Sequence, residues 1–383
     1  MIPLSLYIHI PWCIRKCPYC DFNSHALNKE LPEQQYLTAL IEDLKQDLGF
    51  VYNRPITTIF FGGGTPSLIS PSGIERLLTE ISKLVTFAPD IEITLEVNPG
   101  TVEHHNIHDY YSAGINRISL GVQSFNDQKL AMLGRIHKSK ETFKVIEELH
   151  SSKFHSFNLD LMHGLPQQTV AEAMEDLRSA LDCKPPHISW YQLTLEPNTV
   201  FYKYPPILPN DDVTWEIQAN GEELLHTGGF NHYEISAFSQ PNHECRHNLN
   251  YWSFGDYLGI GAGAHAKITH PDTFAVQRFW KTRNPKDYLD PAKKSLAGSK
   301  YISKSELPFE YMLNRLRSFK PFNFAEFESY TGLPLSDISA ILKQSQEHGF
   351  SLLTNERMEL TQHGKRFLND MMQMFLIEGA TDD

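Results

Sequence analysis

Residues 4–20 read Leu4-Ser5-Leu6-Tyr7-Ile8-His9-Ile10-Pro11-Trp12-Cys13-Ile14-Arg15-Lys16-Cys17-Pro18-Tyr19-Cys20. A short apolar, β-rich run ends at a proline and opens into three closely spaced cysteines. Their spacing is C-x3-C-x2-C. Thiolates are soft ligands, suited to zinc or to iron–sulfur clusters. Three cysteines on one loop can hold three irons of a cubane cluster and leave the fourth iron open. The same thiols can hold zinc, with His9 or His25 completing the set. Zinc loops favour a second Cys or His pair elsewhere, and the remaining cysteines, Cys183 and Cys245, stand alone. The iron–sulfur reading leads and zinc stands second.

Beyond this loop the chain alternates strand and helix signals. Helical spacing over Glu33–Leu48 puts Leu37, Leu40, Ile41 and Leu44 on one face. Thr57–Phe61 is a compact strand that breaks at Gly62-Gly63-Gly64. Ile74–Val85 is helical, with Ser72 and Glu75 shaped like a capping box. Strand Glu92–Val97, helix Val102–Ala113, strand Arg117–Gly121, helix Ser139–His150, strand Phe157–Leu161, helix Val170–Leu181 and strand Ile188–Leu193 follow. Parallel strands joined by crossover helices give a wound sheet or a barrel. The expected fold is α/β, a partial parallel (β/α)6 barrel, with a mostly helical, winged-helix-like module at the C-terminus. The expected units are the barrel with its cysteine loop at 1–235, a His- and aromatic-rich connecting region at 236–295, and the module at 296–383. In that module, helices at Phe309–Leu316, Asn323–Thr331 and Leu335–Gly349 precede strand-like pieces at Phe350–Leu353 and Met358–Leu360.

The 383 residues carry 34 basic and 46 acidic side chains, a formal charge of −12. That balance argues against a nucleic-acid partner, which needs a basic face. The N-terminus is apolar but lacks a basic n-region and a cleavage site, and no run of about 18 apolar residues signals a membrane span. Five cysteines, three of them crowded into eight residues, do not read as a secreted disulfide framework. The expected location is cytoplasmic.

Polar oddities cluster just after the strands, where parallel barrels carry their chemistry. Glu96, Gln123 and Asp160 each place a polar group at the end of an otherwise apolar strand. Burying one without a partner costs a few kcal/mol, so three together favour a shared ligand. The glycines 62–64 allow close backbone approach to a ligand. Arg135 can pair with a carboxylate. Farther on, Cys245-Arg246-His247-Asn248-Leu249-Asn250-Tyr251-Trp252 sets an imidazole among aromatics, a combination suited to haem.

The cysteine spacing, with Tyr19 before the last cysteine, resembles the signature of the radical S-adenosylmethionine (SAM) superfamily. Phe60–Pro66 resembles its Gly-Gly-Glu-Pro loop, with Thr65 in place of the glutamate. Together the motifs resemble the oxygen-independent coproporphyrinogen III oxidase family, from Tyr7 to about Leu195 and again after about Leu296. The oxidases carry a fourth cysteine where this chain has Phe22, and a long N-terminal extension where Tyr7 stands seven residues from the start. These features, with His247-Asn-x-x-Tyr251-Trp252, are similar to the haem chaperone branch. The resemblance implies a [4Fe-4S] cluster on Cys13, Cys17 and Cys20. It implies a SAM pocket lined by Tyr7, Gly63, Gly64, Thr65, Glu96, Gln123, Arg135 and Asp160, and His247 as the leading haem ligand. It further implies haem as cargo and acceptor haemoproteins, such as respiratory enzymes, as partners. Coproporphyrinogen oxidation, or another radical reaction, is the alternative; the branch features count against the first.

Overall fold

The computed structural model describes residues 1–27, 29–104 and 106–376. Seven strands run parallel: β1 (Leu4–Ile10), β2 (Ile56–Gly63), β3 (Phe87–Val97), β4 (Arg117–Gln123), β5 (Ser156–His163), β6 (His187–Gln192) and, on the other side of β1, β9 (Asp256–Ile260). The helices α1 (Glu33–Asp47), α2 (Pro71–Leu84), α3 (Ile107–Ser112), α4 (Ser139–Ser151) and α5 (Val170–Asp182) cross between β1 and β6. Each helix buries one stripe on the sheet: α1 presents Leu37, Leu40, Ile41 and Leu44, and α2 presents Ile74, Leu77, Leu78 and Ile81. The six-fold β/α barrel expected from the alternation is therefore present and open-sided. Helix α6 (Asp211–Thr227) leads into a hairpin, β7 (Asn231–Glu234) and β8 (Ala237–Ser239), that caps the β6 edge.

The region 236–295 continues the same sheet. After helix α7 (Arg246–Trp252) and β9, three antiparallel strands follow: β10 (His265–Thr269), β11 (Val276–Lys281) and β12 (Leu296–Tyr301). The full sheet has 12 strands in the order β12-β11-β10-β9-β1-β2-β3-β4-β5-β6-β8-β7. The boundaries drawn at 235/236 and 295/296 thus fall within one sheet. Beyond it, α8 (Leu307–Arg315), β13 (Phe322–Asn323), α9 (Phe324–Thr331), α10 (Ser336–Glu347), β14 (Ser351–Leu353) and β15 (Arg357–Leu360) form the winged-helix-like module. Its core of Tyr311, Met312, Phe327, Ile338 and Leu342 takes in Phe254 and Val276 from the sheet.

Three local details depart from the sequence reading. Helix α2 starts earlier and is capped by Ser70, whose Oγ accepts from Gly73 N–H while its own N–H and hydroxyl donate to Glu33. The segment 102–113 is a 3-10 turn at Pro99–His104 followed by the shorter α3. The strand expected over His232–Phe238 is the tight β7–β8 hairpin. No helix of the described residues is long and apolar enough to cross a membrane.

The seam between the barrel and the antiparallel strands is ionic. Asp256, fully buried at the head of β9, accepts from Arg54 Nη1 at 2.7 Å, from Lys267 Nζ at 2.9 Å and from the Thr269 N–H and hydroxyl. Removing one partner of such a buried pair typically costs about 3–5 kcal/mol, because the other charge stays buried. Asp256→Asn leaves two cations under-compensated and is expected to lose stability of that order in urea denaturation. A loss below about 1 kcal/mol would mean the seam does not depend on charge.

Candidate functional site

The cysteine loop lies at the carboxyl end of β1. Trp12–Cys13 and His25–Ala26 form a two-residue parallel pair, and His25 N–H donates to Pro11 O while Leu27 N–H donates to Cys13 O. Lys16 Nζ reaches across to the carbonyls of Phe22 and Ser24, closing the loop. All three thiols are free and partly exposed. Burial raises the Cys13 and Cys20 thiols, opposed by hydrogen bonds from Thr65 and Ser24 respectively. The half-buried Arg135 points Nη1 at Cys17 Sγ, 3.9 Å away, donates from Nη2 to Gly121 O and leaves Nε without a hydrogen bond. Among the described residues no three His, Cys, Asp or Glu side chains gather around a point as one ion needs. Three thiols spread along a loop, with a guanidinium nearby, fit the separate corners of a cubane cluster.

The glycine loop grips this cysteine loop. Gly64 N–H donates to Ile10 O and Thr65 N–H to Trp12 O. A Cβ on Gly64 would sit 2.5 Å from the Trp12 carbonyl oxygen, and one on Gly63 would sit 2.6 Å from the His9 ring. The glycines thus serve close approach to the chain's own backbone and ring. Gly63 N–H donates to Glu96 Oε2 at 3.2 Å. With those three N–H groups spent, the loop offers carbonyls, which suit an amine donor.

The strand-end polar groups face one another across the barrel. Asp160 accepts from Ser119 Oγ and Asn158 Nδ2 at 2.8 and 2.7 Å. Burial raises its carboxyl, and burial with the Asp160 charge pushes Glu96 up to about 8. Gln123 takes a positive φ of 66° where β4 slips register, and its Oε1 accepts from Tyr191 OH at 2.7 Å. Tyr7, Gly63 and Glu96 line a cavity of about 460 Å³ that opens to solvent; its other wall includes Tyr251, Tyr257, His265 and Arg283. Tyr7, Glu96, Asp160 and His247 line a deeper pocket of about 230 Å³. Thr65, Arg135 and Cys17 share a narrow cleft with Asn98 and Thr101. The structure therefore gathers most of the expected SAM residues in one end of the barrel, with Gln123 beside Arg135 and bonded to Tyr191.

His247 stands in the wall of the deeper pocket. It is buried on α7, and burial pushes its imidazole down to about 3. The Thr58 hydroxyl gives its proton to Ser5 Oγ, so His247 Nδ1–H donates to Thr58 at 2.7 Å. Nε2, the remaining lone pair, accepts from Tyr251 OH at 2.8 Å. Both nitrogens are spent, and iron ligation would cost the Tyr251 bond. His247 is a fixed part of the wall. Arg117, His265 and Arg283 also line these cavities without having been singled out. Arg117 was legible only as the first residue of a strand; it is buried, with Nε 4.0 Å from Glu92 Oε2 and no hydrogen bond to Nε or Nη2.

Family models agree with this architecture. The radical SAM superfamily model matches residues 7–180 and the HemN C-terminal domain model residues 302–367. Coproporphyrinogen III oxidase (HemN) from Escherichia coli, described as a radical SAM enzyme, superposes with a TM-score of 0.83 over 98% of this chain and 90% of that chain, at 23% identity. The fold and the matched models define a radical SAM scaffold. The haem chaperone HemW of Haemophilus influenzae is 50% identical over 98% of each chain, and that of Escherichia coli is 47% identical over 98% of this chain and 99% of its own. The chain belongs to the HemW family of haem chaperones.

Glu96 gives this site a pH signature. In the fold its carboxyl keeps its proton up to about 8, whereas its ordinary value is 4.5. Between those values the native state holds a proton that the unfolded chain has released, so this group's contribution to stability falls as pH rises through the window. Glu96→Gln removes that dependence. Without ligand, the variant is expected to gain stability relative to the parent between pH 5 and 8, by no more than about 5 kcal/mol. A pH-independent difference in thermal unfolding would show that Glu96 does not titrate as buried.

Proposed function

We propose that this chain binds haem and delivers it to acceptor haemoproteins, while carrying a [4Fe-4S] cluster and SAM at the barrel mouth. The observation that carries the reading is the 47–50% identity, over 98% of the chain, to proteins named haem chaperones. Cys13, Cys17 and Cys20 would hold the cluster, and Arg135 would offset the Cys17 thiolate. Bound in this way, a cluster supplies an open iron for the methionyl group. Tyr7, the Gly63-Gly64-Thr65 loop, Glu96, Gln123, Arg135 and Asp160 would shape the SAM site. Glu96 and Asp160 would accept hydrogen bonds from the nucleoside, each ionising as donors replace the burial penalty. The wide, solvent-open cavity, with aromatic walls, supports a large planar cargo that must leave again. The acceptors would be haemoproteins such as respiratory enzymes, met from a cytoplasmic location.

Coproporphyrinogen oxidation is the second reading, supported by fold likeness to HemN. Phe22, where the oxidases carry a cysteine, lines the cavity with its side chain 58% exposed. Product formed from coproporphyrinogen III under anaerobic, reducing conditions would reverse the order of the two.

Two outcomes are expected. After anaerobic reconstitution the parent should hold about four irons per chain and the Cys13/Cys17/Cys20→Ala variant almost none; iron retained by the variant would remove the cluster assignment. In calorimetric titration, Glu96→Ala and Asp160→Ala should each weaken SAM binding about tenfold or more, the worth of one charged hydrogen bond, with iron content unchanged. Unaltered affinity in both would place the SAM pocket elsewhere.

A further inference from the structure

The large cavity has two chemically different walls. One is barrel: Tyr7, Gly63 and Glu96. The other is built by α7, β9, β10 and the segment after β11, and presents Tyr251, Tyr257, His265 and Arg283. A metalloporphyrin that also bears carboxylates needs flat apolar walls, a donor for the iron and a cation for the carboxylates.

Four histidines line the cavities, of which His187 is spent on Asn158 and Tyr233. His9 is spent: its Nε2–H donates to Asn23 O at 2.9 Å and its Nδ1 accepts from Tyr7 OH at 3.1 Å. His247 is spent on Thr58 and Tyr251. His265 is exposed at the mouth, and among the described residues neither of its ring nitrogens has a hydrogen-bond partner. Its ring is nevertheless oriented. It pairs across the strands with Trp280, centroids 6.3 Å apart and planes at 27°. Trp280 in turn lies over Gly298, where a Cβ would come within 2.5 Å of the indole. Partial burial and the Arg278 and Arg283 charges lower the His265 pKa, which keeps the ligating neutral ring at neutral pH. Arg283 is exposed on the same wall, and its guanidinium has no ion pair among the described residues. Asn23 donates to the carbonyls of Ala262 and Arg283, which fastens this wall to the cysteine loop.

We propose that the wall formed by Tyr251, Tyr257, His265 and Arg283 is the haem site, with His265 as the axial iron ligand and Arg283 as the partner of a propionate. This rests on the haem-binding reading above. The ligand sits on the rim, so iron can pass to an acceptor's ligand without opening the barrel. SAM on the opposite wall shares the cavity and would border the porphyrin.

The test titrates the reconstituted full chain with ferric haem, with iron-free protoporphyrin IX and with haem dimethyl ester. His265→Leu is expected to shift the Soret band and weaken ferric haem about tenfold or more, while protoporphyrin IX and SAM bind as to the parent. Arg283→Gln is expected to weaken haem severalfold and leave the dimethyl ester unchanged. Unchanged SAM affinity reports an intact fold in both variants. A His265→Leu complex with the parent's spectrum and affinity overturns the ligand assignment while leaving haem binding standing. A parent chain that binds no haem overturns both.

Discussion

One buried carboxylate ties the barrel to the antiparallel strands that wall its cavity. Asp256 starts β9, and β9 is the strand that the barrel and the antiparallel strands share through β1. Arg54, which approaches Asp256 from the loop before β2, also donates to the carbonyls of Ile2, Phe50 and Val51. Lys267 and Thr269 approach from β10. One side chain thus ties the chain before β1, the α1–β2 connection, β9 and β10. Charges so deep are tolerated only with full compensation. Each added donor makes that arrangement harder to change, and it holds the two walls of the cavity in register.

The same logic separates structural from available polarity. Lys281, buried at the end of β11, is compensated by Asp43 and Asp47 of α1, both at 2.7 Å. That pairing holds the last antiparallel strands against the barrel's first helix. Inside the barrel the accounts do not close. Glu96 and Asp160 are both raised, Arg117 has two nitrogens without a hydrogen bond beside its ion pair to Glu92, and Arg135 has one. Unsatisfied buried groups are uncommon in folded proteins. Those of Arg117 and Arg135 border the cavities, where a polar ligand can complete them.

Much of the framework was legible from residue patterns. The six β/α units follow from short apolar runs separated by helical periodicity, because strands buried on both faces must be apolar. The cysteine loop was legible because three thiols in eight residues have few structural uses in a chain otherwise poor in cysteine. The grouping of Glu96 and Asp160 was legible because a polar residue at the end of a buried strand needs a reason. The strands between 256 and 301 were missed. β9 begins with Asp256 and contains Gly259, where a Cβ would lie 2.0 Å from the His265 carbonyl oxygen, and β12 contains Gly298. Close strand approach demanded glycine, and glycine erased the strand signal.

The sequence by itself determined the local chemistry: which loop carries thiols, which strands end in carboxylates, and which helices bury which stripe. Those properties depend on a side chain and its near neighbours in the chain. Tertiary structure decided which groups are free to act. His247 stands beside aromatics in the sequence and His265 does not, yet Thr58 and Tyr251 close the first ring while the second remains open at the mouth. Which ring nitrogen carries the proton depends on a partner 189 residues away in the chain, as for Thr58 and His247. No spacing rule carries that information, because the partner is set by how β2 and α7 pack together in space.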